Sequence, residues 1–182
     1  MSEAPAKPPV IDELVGNAHG NLARVKELLE ANPELVDRKA SWNETPIEAA
    51  TQMGNREIID YLIARGAPVD FFTALVLGRS EEVGRQPELI NARGIHDLPA
   101  LYFAAIGGDV GTARKVIEAG ADVNARSQAA APIHGAVMGG NAAMVQLLLD
   151  HGADPSLKDY AERDAKSLAM AIQRSDLAAL FD

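Results

Sequence analysis

Ala131–Asp154 reads A-P-I-H-G-A-V-M-G-G-N-A-A-M-V-Q-L-L-L-D-H-G-A-D, and this stretch decides the fold. It predicts a first short helix, a Gly turn, a second helix whose apolar residues Met144, Val145, Leu148 and Leu149 fall at helical spacing, and a stop at Gly152. One such pair cannot bury its apolar side alone, so it must stack on copies of itself.

The copies are present. Aligning the chain on the Gly turn gives Gly20, Gly54, Gly78, Gly108 and Gly140, with Ser175 placed in the last copy; subtraction gives spacings of 34, 24, 30, 32 and 35. Most lie near the roughly 33-residue period of a helix-pair solenoid. After each turn the apolar pattern returns, as Val25, Leu28 and Leu29, as Ile58, Ile59, Leu62 and Ile63, and as Ala113, Val116 and Ile117. The second helices stop at R-G-A-P (65–68), A-G-A-D (119–122) and H-G-A-D (151–154), where Gly suits a left-handed closing residue. First helices open T-P-I-E (45–48), P-A-L-Y (99–102) and A-P-I-H (131–134), with Pro where the first turn has no use for an N–H.

The units T-P-I-E-A-A-T-Q-M-G, A-P-I-H-G-A-V-M-G-G, V-Q-L-L-L-D-H-G-A-D-P and I-E-A-G-A-D-V-N-A-R resemble ankyrin repeats. The resemblance covers nearly the whole chain after residue 10, with five or six repeats. It implies an all-α solenoid of stacked helix–turn–helix units with short β-hairpin-like loops. The expected organisation is a flexible lead-in over 1–9 and one domain over 10–182, with repeats at about 10–39, 40–68, 69–93, 94–126, 127–158 and a cap at 159–182.

Departures from the pattern carry information. G-A-P-V-D runs directly into F-F-T-A-L-V-L-G after Gly66, so the third repeat is expected to lack its hairpin finger and to leave a notch. Its second helix is expected to be short: Gly78 to Ile90 spans 12 residues where Gly20 to Val36 spans 16, a difference of about one helical turn. Pro33 and Pro87 stop the second helices of repeats one and three, leaving Leu35 and Leu89 to fold back.

Composition limits the chemistry. The chain has 182 residues, 47% of them hydrophobic, and no cysteine, which removes disulfides, thiolate metal sites and cysteine nucleophiles together. Seventeen Lys and Arg face 26 Asp and Glu, a net charge of -9, the reverse of what phosphate neutralisation requires; nucleic acid and anionic membrane are disfavoured as partners. No apolar run reaches the ~20 residues of a membrane span. The amino-terminal M-S-E-A-P-A-K-P-P lacks a secretory layout, and a cytoplasmic location is expected.

No catalytic constellation stands out, and no cofactor or metal is expected. His19, His96, His134 and His151 show no metal-ligand spacing. His134 occupies the place of the family's motif histidine, whose implied role is to hydrogen-bond backbone between repeats. His151 and His19 precede turns and suit helix ends. The pairs Gly107–Gly108 and Gly139–Gly140 lack the context of a phosphate loop. Phe71 and Leu101 align with a buried leucine, and Phe72 and Tyr102 with the motif histidine. A tyrosine hydroxyl can replace the histidine's hydrogen bond, whereas Phe72 can only pack, in the space of the missing finger.

Recognition is therefore the expected function, and the resemblance places it in a concave groove lined by finger tips and first helices. The corresponding residues are Trp42 and Glu44 in the first finger, Ile95, His96 and Leu98 in the next, and Gln52, Met53, Val76, Leu77, Ile106 and Met138 before the turns. An exposed row of this kind in a monomer calls for something to cover it. Trp42, the single tryptophan, has two readings, a binding hot spot or a loop anchor. The expected partner is a protein or peptide with apolar anchors and basic flanks. Two alternatives are self-association and a small-ligand or enzymatic site at the notch beside His96, Asp97 and Tyr102.

Overall fold

The computed structural model describes residues 9–182, and the expected lead-in lies outside the described residues except for Pro9. Six helix pairs follow one another: α1 (Val10–Ala18) and α2 (Leu22–Ala31), α3 (Pro46–Gln52) and α4 (Arg56–Ala64), α5 (Phe71–Val76) and α6 (Glu81–Arg85), α7 (Ala100–Gly107) and α8 (Val110–Glu118), α9 (Pro132–Met138) and α10 (Ala142–Asp150), α11 (Ala165–Ala171) and α12 (Ser175–Ala178). The first helices of the pairs stack in a row, α1 on α3, α3 on α5, α5 on α7, α7 on α9 and α9 on α11. The core runs continuously along the stack, from Leu14 and Leu29 through Ile58, Leu75 and Phe103 to Met144, Leu148 and Leu168. This is the expected all-α solenoid.

Capping side chains set the helix starts. Asn21, Asn55, Asp109 and Asn141 accept from the third amide of α2, α4, α8 and α10, each satisfying a donor that has no intrahelical partner. Thr45 and Glu48 form a reciprocal capping box at α3, with Pro46 in its first turn. Pro33 and Pro87 begin short 3-10 turns after α2 and α6, and Leu35 and Leu89 pack against the core from there. The five residues of α6 against the ten of α2 are the predicted loss of a turn.

Four fingers project between pairs, each closed by one backbone hydrogen bond: Ala40 N–H to Glu44 O at 2.8 Å, Gly94 to Leu98 at 2.9 Å, Ser127 to Ala130 at 3.0 Å and Asp159 to Arg163 at 2.9 Å. Among the described residues the only β-bridge is Arg93 with Pro99, at the base of the second finger. Between α4 and α5 no finger forms, because Asp70 caps α5 directly through the amide of Thr73 at 2.7 Å.

One register differs from expectation. The left-handed turn residue of the last pair is Gln173 (φ 61°) and not Ser175, so the spacing from Gly140 becomes 33 by subtraction. That shift places Ile172, not Arg174, immediately before the turn, in the position Met53 holds before Gly54.

Candidate protein-binding groove

The inner side of the stack carries three exposed apolar side chains before the turns: Met53 of repeat two and Met138 of repeat five, each 39% exposed, and Ile172 of repeat six. With Gln52, Leu98, Tyr102 and Leu168 they line one concave cleft of about 340 Å³. Fingers carrying His96 and Tyr160 form its outer wall. Tyr160 is the most exposed of the large apolar side chains, at 77%. A wider polar cleft of about 930 Å³ continues between the finger tips, past Asp97, Arg126 and Glu162.

Several residues expected in this surface lie elsewhere. Val76 is fully buried and Ile106 is only 5% exposed. The cause is the glycine of the following repeat: a Cβ on Gly107 would stand 2.5 Å from the Val76 carbonyl oxygen, and one on Gly139 would stand 2.6 Å from that of Ile106. First helices packed this closely cover the residues between them, and the Ile106 side chain in turn meets the Gly54 turn. Leu98 is buried because its finger folds back on Gly94, and Glu44 because its carboxylate is gripped from two sides. Leu77, Ile95 and Gln52 are half-buried, so the row is apolar but not continuously exposed.

Trp42 is 46% exposed, and its indole N–H donates to Glu44 Oε2 at 2.6 Å. Gln52 donates to the other oxygen at 3.0 Å, which anchors the finger tip to the end of α3. The indole is thus oriented by its own finger while one face stays open.

The wall is tied together finger by finger. Arg93 donates to the Arg126 carbonyl at 2.8 Å, and the Tyr160 amide donates to the Ala129 carbonyl at 2.9 Å. His134 is buried beneath this wall. Its Nδ1 accepts from the Ala131 amide at 3.0 Å, so in the neutral ring Nε2 carries the hydrogen and faces the Leu157 and Arg163 carbonyls at 3.0 and 3.3 Å. Burial pushes the imidazole below its ordinary value, outweighing the Asp159 charge and the carbonyls. For Asp159, burial acts to raise the carboxyl, but the Arg163 guanidinium and the amides of Arg163 and Ala161 outweigh it and hold it low.

The missing finger leaves a separate cleft of about 280 Å³, lined by Lys39, Thr51, Asp70, Phe72, Arg93 and Phe103 among others. Phe72 packs there against Phe71 and Phe103, with ring centroids 5.7 and 5.0 Å apart. His96, Asp97 and Tyr102, expected at the notch, instead border the concave groove.

A family model described as ankyrin repeats, in three copies, matches residues 83–159. These residues are ankyrin repeats. A putative ankyrin repeat-containing protein of Treponema pallidum is 31% identical over 88% of this ankyrin-repeat chain and 47% of its own length. A putative ankyrin repeat protein of Rickettsia felis is 26% identical over 64% of the chain and 46% of its own length. The zygote-specific protein 3 of Chlamydomonas reinhardtii is 36% identical over 45% of the chain and 22% of its own length. The chain spans less than half the length of each of these relatives.

Tyr160, Arg163 and Ile172 of this ankyrin-repeat groove escaped the sequence reading. Tyr160 is a lone aromatic in the polar loop K-D-Y-A-E-R, the same signal that singled out Trp42. Ile172 was hidden by the misplaced turn residue. Arg163 had no signal, since only folding shows that its guanidinium pairs with Asp159 at 2.8 Å at the base of the same finger.

Proposed function

We propose that this chain is a non-catalytic scaffold that binds a protein or peptide segment in the concave groove, as one domain over 10–182. The observation that carries the reading is the gathering of Met53, Met138, Ile172 and Tyr160 around one cleft, exposed on the inner side of a rigid stack. Thioethers accommodate varied apolar shapes, and an exposed aromatic beside them supplies a rigid anchor. Preformed walls leave little ordering cost to binding. The ligand is a segment with apolar anchors; basic flanks suit Asp97 and Glu162 at the finger tips, which form no ion pair among the described residues. A cytoplasmic setting suits a chain without cysteine.

The test is selection from a peptide-display library on wild type beside a Met53→Glu, Met138→Glu variant with an unchanged melting profile. Binders retained by wild type and lost by the variant support the groove. Binders retained equally by both place recognition on the outer helices. Sedimentation across a concentration series separates the self-association alternative, in which mass rises with concentration. Soaking with a small-molecule library tests the alternative at the notch, through chemical shifts around Phe72.

A further inference from the structure

Glu44 is a carboxylate at 1% exposure, and no Lys or Arg reaches it within ion-pair distance among the described residues. Two histidines from distant repeats approach the same oxygen. His19 Nε2, at the end of α1, stands 3.7 Å from Glu44 Oε1, and His96 Nε2, on the second finger, stands 3.6 Å from it. We propose that Glu44, His19 and His96 form a proton-operated tie that holds the first finger to the second across the third repeat.

The ring chemistry defines what a proton does. His19 Nδ1 lies 3.2 Å from the Val15 carbonyl oxygen, which can only accept, so Nδ1 carries a hydrogen. In the neutral ring Nε2 is a lone pair, and Gln52 Nε2, 2.5 Å away, supplies a hydrogen to it while donating its other one to Glu44. A second proton can enter only at Nε2. It turns that atom into a donor facing Glu44 and forces the Gln52 amide to rotate and present its oxygen. His96 has a parallel choice on the opposite finger, without a second hydrogen bond to fix its ring.

The tie exists because the third repeat has no finger to fill the gap. His96 and Asp97 take left-handed backbone, at φ 54° and 59°, a conformation non-glycine residues adopt rarely and keep when surrounding contacts enforce it. The other charged groups of the packed elements are engaged elsewhere or stand beside the tie. Asp12 of α1 accepts from the Ser41 amide at 2.8 Å, and Glu48 of α3 closes the Thr45 cap. Asp97 follows His96, and its backbone carbonyl accepts from Arg93 at 3.2 Å.

The sign follows. An imidazole changes charge between roughly pH 5 and 8. A ring carrying both protons is a cation facing the Glu44 carboxylate, and the fingers are drawn together; a ring without the Nε2 proton is neutral, and the attraction is lost. A consequence for what enters the groove rests on the groove reading above; the tie itself does not.

Trp42 is the single tryptophan and its indole N–H is held by Glu44, so its fluorescence reports the cluster directly. Wild type is titrated from pH 8 to 5 beside His19→Gln, His96→Gln and the double variant, positions whose side chains reach solvent and whose replacement leaves the core intact. The expected result is an emission step in wild type, reduced in each single variant and lost in the double. An equal step in wild type and double variant overturns the proposal, as does a flat wild-type curve. Proton NMR of the wild-type imidazoles adds a reading that needs no variant. The His19 and His96 signals must move together with the Trp42 emission, and movement at a different pH overturns the tie. Because neither measurement uses a partner, both outcomes stand whether or not the groove binds one.

Discussion

The Tyr102 hydroxyl of α7 donates to the backbone carbonyl of Gln52 at the end of α3, at 3.1 Å, bridging two repeats across the shortened one between them. Tyr102 stands where the repeat motif has histidine, and its longer reach lets the bond skip the third repeat. Burial pushes the phenol well above its ordinary value, which keeps the hydroxyl a donor throughout the stable range.

Removing that hydroxyl with Tyr102→Phe leaves the carbonyl without this donor, and a net loss of about 1 kcal/mol is expected. Chemical denaturation at neutral pH reads it directly. The loss should be accompanied by faster amide exchange near Gln52 and Met53, since these residues end a helix that the hydroxyl steadies.

Phe72→Ala opens the cleft left by the missing finger. Phe72 is half-buried and touches Phe103, so the expected cost is roughly 2 kcal/mol, below the 3–5 typical of a fully buried ring. A change within measurement error in the denaturation midpoint would show that the ring does not support the gap.

His134→Gln should destabilise the stack by about 2 kcal/mol, because it removes a buried ring that bonds the Ala131 amide and the Leu157 and Arg163 carbonyls. The folded value of His134 lies below its unfolded value of about 6.5, so the unfolded chain binds the extra proton first and stability falls as pH drops through that value. Wild type should lose more melting temperature between pH 7 and 5 than the variant does. Parallel slopes would assign the pH dependence to other groups.

Asp159→Asn removes the charged partner of Arg163 at the base of the last finger. Asp159 is held below the ordinary carboxylate range, so its contribution is complete above the unfolded value of about 3.9 and vanishes as pH falls through the lower folded one. A deficit of about 2 kcal/mol is expected at pH 7, closing toward pH 3. Acid titration of both proteins by circular dichroism checks it.

Gly107→Ala tests the close stacking that buried Val76. The added Cβ meets backbone, not the end of a flexible side chain, so the two first helices must separate. A loss of about 3 kcal/mol or more is expected from thermal melts, at the upper end of overpacking costs. A tolerated alanine would mean that α5 and α7 can slide apart, and Val76 would then regain its place in the exposed row.

The sequence by itself determined the repeat, the helix pairs, the missing finger and the short α6, because each depends on neighbours within one period: apolar spacing, a Pro in the first turn of a helix, a Gly or Pro after one. It also marked His134, whose role is set by its place in the motif. Tertiary structure alone decided which residues before the turns remain open. Met53 and Val76 both lie near the ends of inner helices, yet the backbone of Gly107 covers Val76 while Met53 stays exposed. The same is true of Glu44, which looks like a loop carboxylate in sequence and becomes the meeting point of His19, at the end of α1, and His96, on the second finger, only in the folded stack. Exposure and convergence depend on how closely successive repeats stack, and that distance is fixed by contacts between residues a whole repeat or more apart.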